Sequence, residues 1–348
     1  KNQCKKYKFE NLFYPIIDTI QKNHFQIWGN NFSENFYIKN KFFVELKKLQ
    51  TEFDKLAKKF DVIILPDTAY IYNHLLKQTF LKNKKRVLCI GPAHVFYEYK
   101  NIYTSEVSVE NKLSNIKGYN QNKKNIEKFL KKRFFGVINN GFKNISFREK
   151  KLKKFQNRNV LFLHSFTDAN NNAWKNNQSF TSHFEWTDFT FKELSKNNFK
   201  NWYIKIHPET MTIKGKKISS NNQAYGTKLI LEYLLRKYKV PRELIDDCPS
   251  SLNILRNQMP IYTNSSTIIM ESLCFNYKSF FSGNRFNKYF GIKAHNKNTW
   301  IKFLNYKTKK KKKINDNLLK QAKYMLWYQY SKETFLKNIC PDRHVAGS

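Results

Sequence analysis

The chain has 348 residues, of which 41% are hydrophobic and 16% aromatic, and its formal net charge is +38. This length suits two domains of ordinary size, and the apolar content excludes an intrinsically disordered chain. No stretch approaches the ~20 apolar residues of a membrane span, and the five cysteines lack CxxC spacing, which argues against a disulfide framework or a zinc site and indicates reduced cytosolic thiols.

The positive charge is carried mainly by lysine, because only nine of the 64 basic residues are arginine. Abundant Lys, Asn, Phe, Ile and Tyr with scarce Ala, Gly and Arg is the bias of an AT-rich genome. A nucleic-acid binder more often concentrates arginine among exposed aromatic residues. We therefore expect no nucleic-acid partner, whereas anionic membrane surfaces remain attractive partners for so many lysines.

The first half of the chain alternates helical and strand patterns. Residues 35–60 have the spacing of a long amphipathic helix. Val62–Pro66 and Arg86–Pro92 are short β-rich runs that end in turn residues, which is typical of buried parallel strands, and residues 68–83 between them have helical spacing. The lysine- and asparagine-rich residues 111–158 contain the expected domain boundary.

The second half repeats the alternation, with strands that run into turns and helices. Strands are predicted at 159–166, 201–209, 259–263 and 278–283, and helices at 184–198, 229–240, 268–276 and 316–339. The simplest architecture is two α/β domains that face each other across a cleft, with the ligand at the carboxyl ends of the strands. We assign residues 1–150 to an acceptor domain, 151–315 to a nucleotide-sugar domain, and 316–348 to a C-terminal helix that packs back on the first domain.

A triple hydroxyl motif follows the strand in Tyr262–Leu273. Ser265, Ser266 and Thr267 stand where the strand ends and an apolar helix begins, and backbone N–H groups with hydroxyls at such a point can bind phosphate. Glu271 lies one turn later on the same face, where it can accept hydrogen bonds from ribose hydroxyls. An ordinary capped helix is the alternative, but three consecutive hydroxyls exceed what capping needs.

The segment IKIHPET forms the second candidate group. His207 and Pro208 directly follow a strand, so the imidazole lies at its carboxyl end with a rigid turn behind it. A histidine there can donate to a phosphate or a carboxylate, and Lys205 adds positive charge. A turn histidine without a ligand explains these residues equally well.

The third candidate group follows the strand of NVLFLHSF. His164, Ser165 and Asp168 enter a loop rich in asparagine. Asp168 is the only carboxylate between Glu149 and Glu185, so it is a candidate nucleophile or general base, although an Asx-turn explains it too. Glu185 and Asp188 on the next helix can supply an acid/base partner.

Several familiar motifs are absent. The chain has no GxGxxG, GxxxxGK[ST], HExxH or GxSxG, and no DxD for a metal-dependent sugar-nucleotide enzyme. This pattern favours a site without metal or cofactor, in which helix dipoles, His and Lys neutralise a leaving phosphate. In the first half, His94 and Glu98 are candidates for the acceptor side.

The order of these segments resembles a known family. The HSFTDA, FEWTDFTFKEL, WYIKIHPE and TNSSTIIMESL segments, followed by a strand ending at Gly283, resemble the bacterial capsule and lipopolysaccharide Kdo transferases over residues 159–290. Those enzymes transfer Kdo, an eight-carbon keto-acid sugar, from CMP-Kdo. The resemblance implies a GT-B fold of two Rossmann-type domains, a glycan acceptor, and a cytoplasmic enzyme peripheral to the inner membrane of a Gram-negative bacterium.

The resemblance also implies roles for individual residues. His207 would contact the CMP phosphate or the sugar carboxylate, and Ser265 and Ser266 would hold the phosphate with Thr267 nearby. Asp168 matches the aspartate that attacks the anomeric carbon in the retaining β-Kdo group.

Two other functions stay open from the sequence. An inverting sialyl- or polysialyltransferase would use Asp168 or Glu185 as general base. A non-catalytic protein that binds nucleic acid or another polyanion would use the lysines.

Overall fold

The computed structural model describes thirteen stretches of the chain: residues 40–65, 71–90, 96–99, 116–135, 158–166, 179–207, 212–213, 216–217, 222–246, 251–264, 266–283, 290–305 and 314–330. They form an α/β structure in two compact units, one with the described residues between 40 and 99 and the other with those between 116 and 330. The sequence predicts a boundary near residue 150 and a separate C-terminal helix, but residues 116–135 and 316–330 both belong to the second unit.

The first unit has a three-stranded sheet with helices. Its elements are α1 (Asn40–Lys59), β1 (Val62–Leu65), α2 (Ile71–Lys82), β2 (Arg86–Ile90) and β3 (Phe96–Tyr99). Strands β1 and β2 pair in parallel, as predicted, and β3 joins β2 antiparallel. The prediction of a buried β1 is wrong for one face, because Val62 and Ile64 are 39% and 55% exposed.

Among the residues that the structure describes, the second unit contains most of the helices and strands. Its elements are α3 (Ile116–Phe135), β4 (Asn159–Phe162), α4 (His183–Ser195), β5 (Trp202–Lys205), β6 (Thr212–Ile213), β7 (Lys216–Lys217), α5 (Asn222–Lys237), a 3-10 turn (Arg242–Leu244), β8 (Ile245–Asp246), α6 (Leu252–Arg256), β9 (Ile261–Thr263), α7 (Ile268–Cys274), β10 (Phe280–Phe281), β11 (Ile292–Lys293), α8 (Lys297–Leu304) and α9 (Asp316–Tyr330).

Six strands of the second unit form one sheet in the order β11-β10-β9-β4-β5-β8, with every pair parallel. In chain order this is 6-5-4-1-2-3, the doubly wound arrangement. The chain builds outward from β4 through β5 to β8, then returns to the other side of β4 with β9. The chain therefore changes direction between the neighbouring strands β4 and β9. This is the topological switch point, beside which ligands bind in such sheets.

Aromatic side chains fill the core around the central strands. The Tyr262 ring of β9 stacks on Phe280 of β10 at 4.7 Å between centroids and meets Trp202 of β5 edge-on at 4.7 Å. Trp300 of α8 is fully buried, and its indole N–H donates to the Thr190 hydroxyl of α4 at 2.9 Å. These contacts fix the strand ends that carry the candidate site.

Helix α3 is the main element that the sequence prediction missed. Its buried side chains recur at helical spacing, at Tyr119, Ile126, Leu130 and Phe134, and it packs against α9. This packing explains why α3 belongs to the second unit. The second unit therefore begins before α3, and not near residue 150 as the sequence predicts. Among the helices of the described residues, none is long and apolar enough to cross a bilayer.

Candidate functional site

The carboxyl ends of β4, β5 and β9 are in register. Phe162 of β4 lies opposite both Lys205 of β5 and Thr263 of β9. His164 and His207 each come two residues after this row. The two histidines therefore leave the sheet at the same level on neighbouring strands, as their positions after predicted strands indicate.

Three imidazoles meet at this edge. The His164 ring stacks on His183, the first residue of α4, with 4.4 Å between centroids and 20° between planes. The His164 ring also lies 5.6 Å from the His207 ring, with 33° between planes. His164 and His207 are half-buried, whereas His183 is buried. Within the described part of the chain, no group of three or more His, Cys, Asp or Glu side chains is arranged to hold a metal ion.

The electrostatics of the group favour a neutral His183. Burial, with smaller contributions from the neighbouring His164 and His207, holds the pKa of His183 well below its usual range. The imidazole is therefore uncharged at neutral pH, and the half-buried His164 and His207 are the members that can meet a solvated anion.

The hydroxyl motif begins beside the switch point. Asn264 directly follows β9, and its carbonyl accepts from the Gly283 N–H at 2.7 Å. Ser266 and Thr267 are half-buried at the start of α7. The Thr267 hydroxyl makes no capping hydrogen bond to α7, and the Ser266 hydroxyl makes only a long one, 3.4 Å from the Ile268 N–H. These hydroxyls are therefore not accounted for by helix capping.

Two other predicted donor-site residues point into the protein. The Ser165 hydroxyl is buried and lies 2.9 Å from the Thr227 hydroxyl of α5. Lys205 is only 3% exposed at the end of β5. Ser165 thus joins the strand end to α5, and Lys205 is a buried side chain opposite Phe162, two residues before His207.

Glu185 takes part in fixing the first turn of α4. Its carboxylate accepts from both the N–H and the hydroxyl of Thr181 at 2.7 Å, and from Lys297 at 2.6 Å. Burial acts to raise the pKa of Glu185, but the hydrogen bonds from Lys297 and Thr181 outweigh it and the pKa lies below its usual range. Such a carboxylate is a poor general base because its oxygens are occupied and its basicity is reduced.

Asp188 and Glu271 also contact other parts of the second unit. Asp188 accepts from Lys237 at 2.7 Å and from the Tyr238 hydroxyl at 2.8 Å, which ties α4 to the end of α5. Glu271 of α7 accepts from Arg133 of α3 through two guanidinium nitrogens, Nε at 3.1 Å and Nη2. The Glu271 carboxylate therefore pairs with Arg133, and the predicted ribose contact has no support from this geometry.

The ion pair between Arg133 and Glu271 leads to a stability prediction. The two side chains are only 10% and 13% exposed, so Glu271→Gln removes the negative charge that Glu271 places against a buried guanidinium. We expect the free energy of unfolding in a denaturant titration to fall by about 3–5 kcal/mol. Glu232→Gln is the matched control, because its pair with Lys228 is exposed and 3.7 Å long, and it should cost less than about 1 kcal/mol.

A different outcome would support the ribose contact predicted from the sequence. If Glu271→Gln weakened CMP binding and left the denaturation midpoint unchanged, the carboxylate would belong to the nucleotide site rather than to the ion pair with Arg133.

Some candidates lie outside the described residues. Asp168, Ser265 and His94 are among them, and for Glu98 in β3 only the backbone is described. Their predicted roles therefore stay predictions.

Two residues of the site were missed from the sequence. The Asn264 side-chain amide nitrogen is hydrogen-bonded to Nδ1 of His183, and both side chains are buried. A polar Asn directly after an apolar strand, in front of three hydroxyl residues, was the available signal for Asn264. His183 follows an N-cap serine, Ser182, and only the fold brings it to this edge.

No family model, curated protein or solved structure matches this chain.

Proposed function

We propose that the chain is a glycosyltransferase that moves Kdo, or a similar ulosonic acid, from a CMP-activated donor to a surface-glycan acceptor. Transfer proceeds with retention, through a covalent adduct on Asp168 and without a metal ion. The first unit binds the acceptor, the second binds CMP, and the two make up a GT-B-type enzyme. Peripheral contact with an anionic membrane at the cytoplasmic face completes the proposal.

One observation carries the proposal. His164, His207 and the segment from Asn264 to Thr267 follow three adjacent parallel strands, and His164 and Asn264 flank the switch point of a doubly wound sheet. This is the position at which such folds bind nucleotides. Imidazole N–H groups and hydroxyls are donors suited to a phosphate.

The chemistry of an activated ulosonic acid fits these groups. Its anomeric carbon carries a carboxylate, so the transition state is a cation beside an anion, and the leaving group is a phosphate. His207 and the hydroxyls of the motif neutralise the leaving phosphate. A single carboxylate, Asp168, attacks the anomeric carbon as the bond to the CMP phosphate breaks. The acceptor hydroxyl then attacks the same carbon, the bond to Asp168 breaks, and the hydroxyl proton is released to solvent. Two inversions give net retention.

The inverting alternative depends on a different base. In an inverting sialyl- or polysialyltransferase, either Asp168 or Glu185 would act as the general base. The contacts of Glu185 with Thr181 and Lys297 and its lowered pKa make it a structural carboxylate, which favours the mechanism based on Asp168.

Thermal stabilisation distinguishes the proposed function from polyanion binding. A protein that binds CMP in its native state melts at a higher temperature when CMP is in excess. We expect CMP to raise the melting temperature, and AMP or duplex DNA to leave it unchanged at the same concentration. Equal stabilisation by DNA and CMP would instead indicate a site for any polyanion.

The hydroxyl motif gives a prediction for affinity. Replacing both Ser265 and Ser266 by Ala should weaken CMP binding in calorimetry by about 1–3 kcal/mol, the range for lost hydrogen bonds to a charged group. The control is Ser195→Ala, whose exposed hydroxyl donates to the Lys192 carbonyl at the end of α4. Unchanged affinity in the double variant would place the nucleotide elsewhere. EDTA should leave both affinity and transfer unchanged.

A further inference from the structure

The stacked histidines form a layered group behind the candidate site. His183 is 1% exposed and lies in the inner layer. His164 is half-buried and lies over it, with ring centroids 4.4 Å apart. The half-buried His207 ring lies 5.6 Å from His164. A ring stacked on a buried neighbour loses the freedom to rotate, so the orientation of His164 depends on what holds His183.

A hydrogen bond from Asn264 determines which ring nitrogen of His183 carries the proton. The amide nitrogen of Asn264 can only donate, so Nδ1 of His183 accepts and its ring proton lies on Nε2. The Asn264 side chain is itself fully buried, and its backbone carbonyl is held by the Gly283 N–H. His183 is thus fixed in one tautomer by a rigid donor.

The same reasoning shows which ring nitrogen of His164 carries a proton. Its Nδ1 lies 3.2 Å from the Ser165 carbonyl, which can only accept, so Nδ1 carries a proton. Nε2 is then the nitrogen that exchanges its proton and that can donate to an anion once protonated. A charged His183 would oppose that protonation, because two stacked imidazolium rings repel each other.

We propose that His183 and Asn264 are positioning residues that hold His164 in a fixed orientation and keep the layer behind it uncharged, so that His164 becomes protonated when a phosphate binds. The other titratable groups of this edge are His207 and the buried Lys205 at the end of β5. The proposal rests on the proposed function only for the identity of the ligand, the CMP phosphate.

The first test uses the wild-type protein. Long-range ¹H–¹⁵N spectra of the ¹⁵N-labelled full chain, recorded between pH 5.5 and 8, report the tautomer and titration of each imidazole. We expect His183 to remain neutral with its proton on Nε2 over this range, while His164 titrates and its midpoint rises when CMP or inorganic phosphate is added. A His183 that titrates near its usual pKa, or that carries its proton on Nδ1, would overturn the proposal.

The second test changes the donor. Asn264→Asp replaces an N–H donor by a carboxylate, which draws a proton onto Nδ1 of His183. The carboxylate offsets part of the positive charge that this proton adds, so we expect the midpoint of His164 to fall by less than about one pH unit, and CMP affinity at pH 7 to fall by up to about tenfold. Asn264→Ser keeps a neutral donor and should restore both. A purely structural role predicts that both variants melt lower and that the His164 midpoint is the same in each.

These measurements separate the inference from the proposed function. The spectra of the free protein can be as expected, and phosphate can raise the His164 midpoint, while CMP has no effect. In that case CMP is not the ligand of this site, and the positioning role of His183 and Asn264 stands. If CMP binds but the His164 midpoint is the same in wild type and Asn264→Asp, the positioning role fails and the nucleotide site stands.

Discussion

Asp168→Asn is expected to abolish sugar transfer while leaving CMP affinity near that of the wild type. The amide has the shape of the carboxylate but not its nucleophilicity, and the lost interaction belongs to the transition state. Loss of an attacking or activating group typically costs on the order of 10⁴–10⁶-fold in kcat. Rates with a CMP-activated donor and calorimetry with CMP, on the same preparation, measure the two quantities.

Mass spectrometry tests the covalent step directly. After exposure to donor without acceptor, the wild-type chain should be heavier by one sugar residue, on the peptide that contains Asp168, and Asp168→Asn should show no such species. Asp188→Asn is a matched control, because that carboxylate is committed to Lys237 and Tyr238, and it should still form the adduct. An active Asp168→Asn enzyme would indicate an Asx-turn residue and an inverting mechanism.

His207→Ala is expected to cause the second largest loss, because it removes a donor to the phosphate in both the bound and the reacting state. We expect CMP affinity to fall about 10- to 100-fold, the equivalent of one hydrogen bond to a charged group, and kcat to fall by roughly 10²–10³-fold. His295→Ala, at a residue exposed in the loop before α8, is the control. Loss of stability without loss of affinity would make His207 a turn residue only.

The strands that carry the site could be predicted because they are apolar on both faces. β4, β5 and β9 are short runs of buried residues, and a polar residue directly after such a run marks the edge of a parallel sheet. His164 and His207 were therefore predicted at strand ends, and the register brings them to the same level. The order of the strands needed the structure.

The surroundings of the carboxylates could not be predicted, because they depend on distant segments. Glu271 lies one turn after Thr267, but its partner Arg133 is on α3, in a lysine-rich region that hides its apolar spacing. Ser165 follows a strand as expected, yet its hydroxyl meets Thr227 from another helix. Local periodicity gives the face of an element, whereas the partner of that face is set by tertiary packing.

The contact between Asn264 and His183 illustrates the same limit at the site itself. The two residues are 81 positions apart, and neither belongs to a motif that names the other. Only the doubly wound order, which places β9 beside β4, brings the end of β9 to the start of α4.

The position of the nucleotide is best measured in a structure of the protein with CMP bound. We expect the phosphate at the carboxyl edge of β4, β5 and β9, within hydrogen-bond distance, ~3 Å, of His207 and of a hydroxyl at Ser266 or Thr267. CMP bound away from these residues, or no CMP bound at saturating concentration, would contradict this expectation.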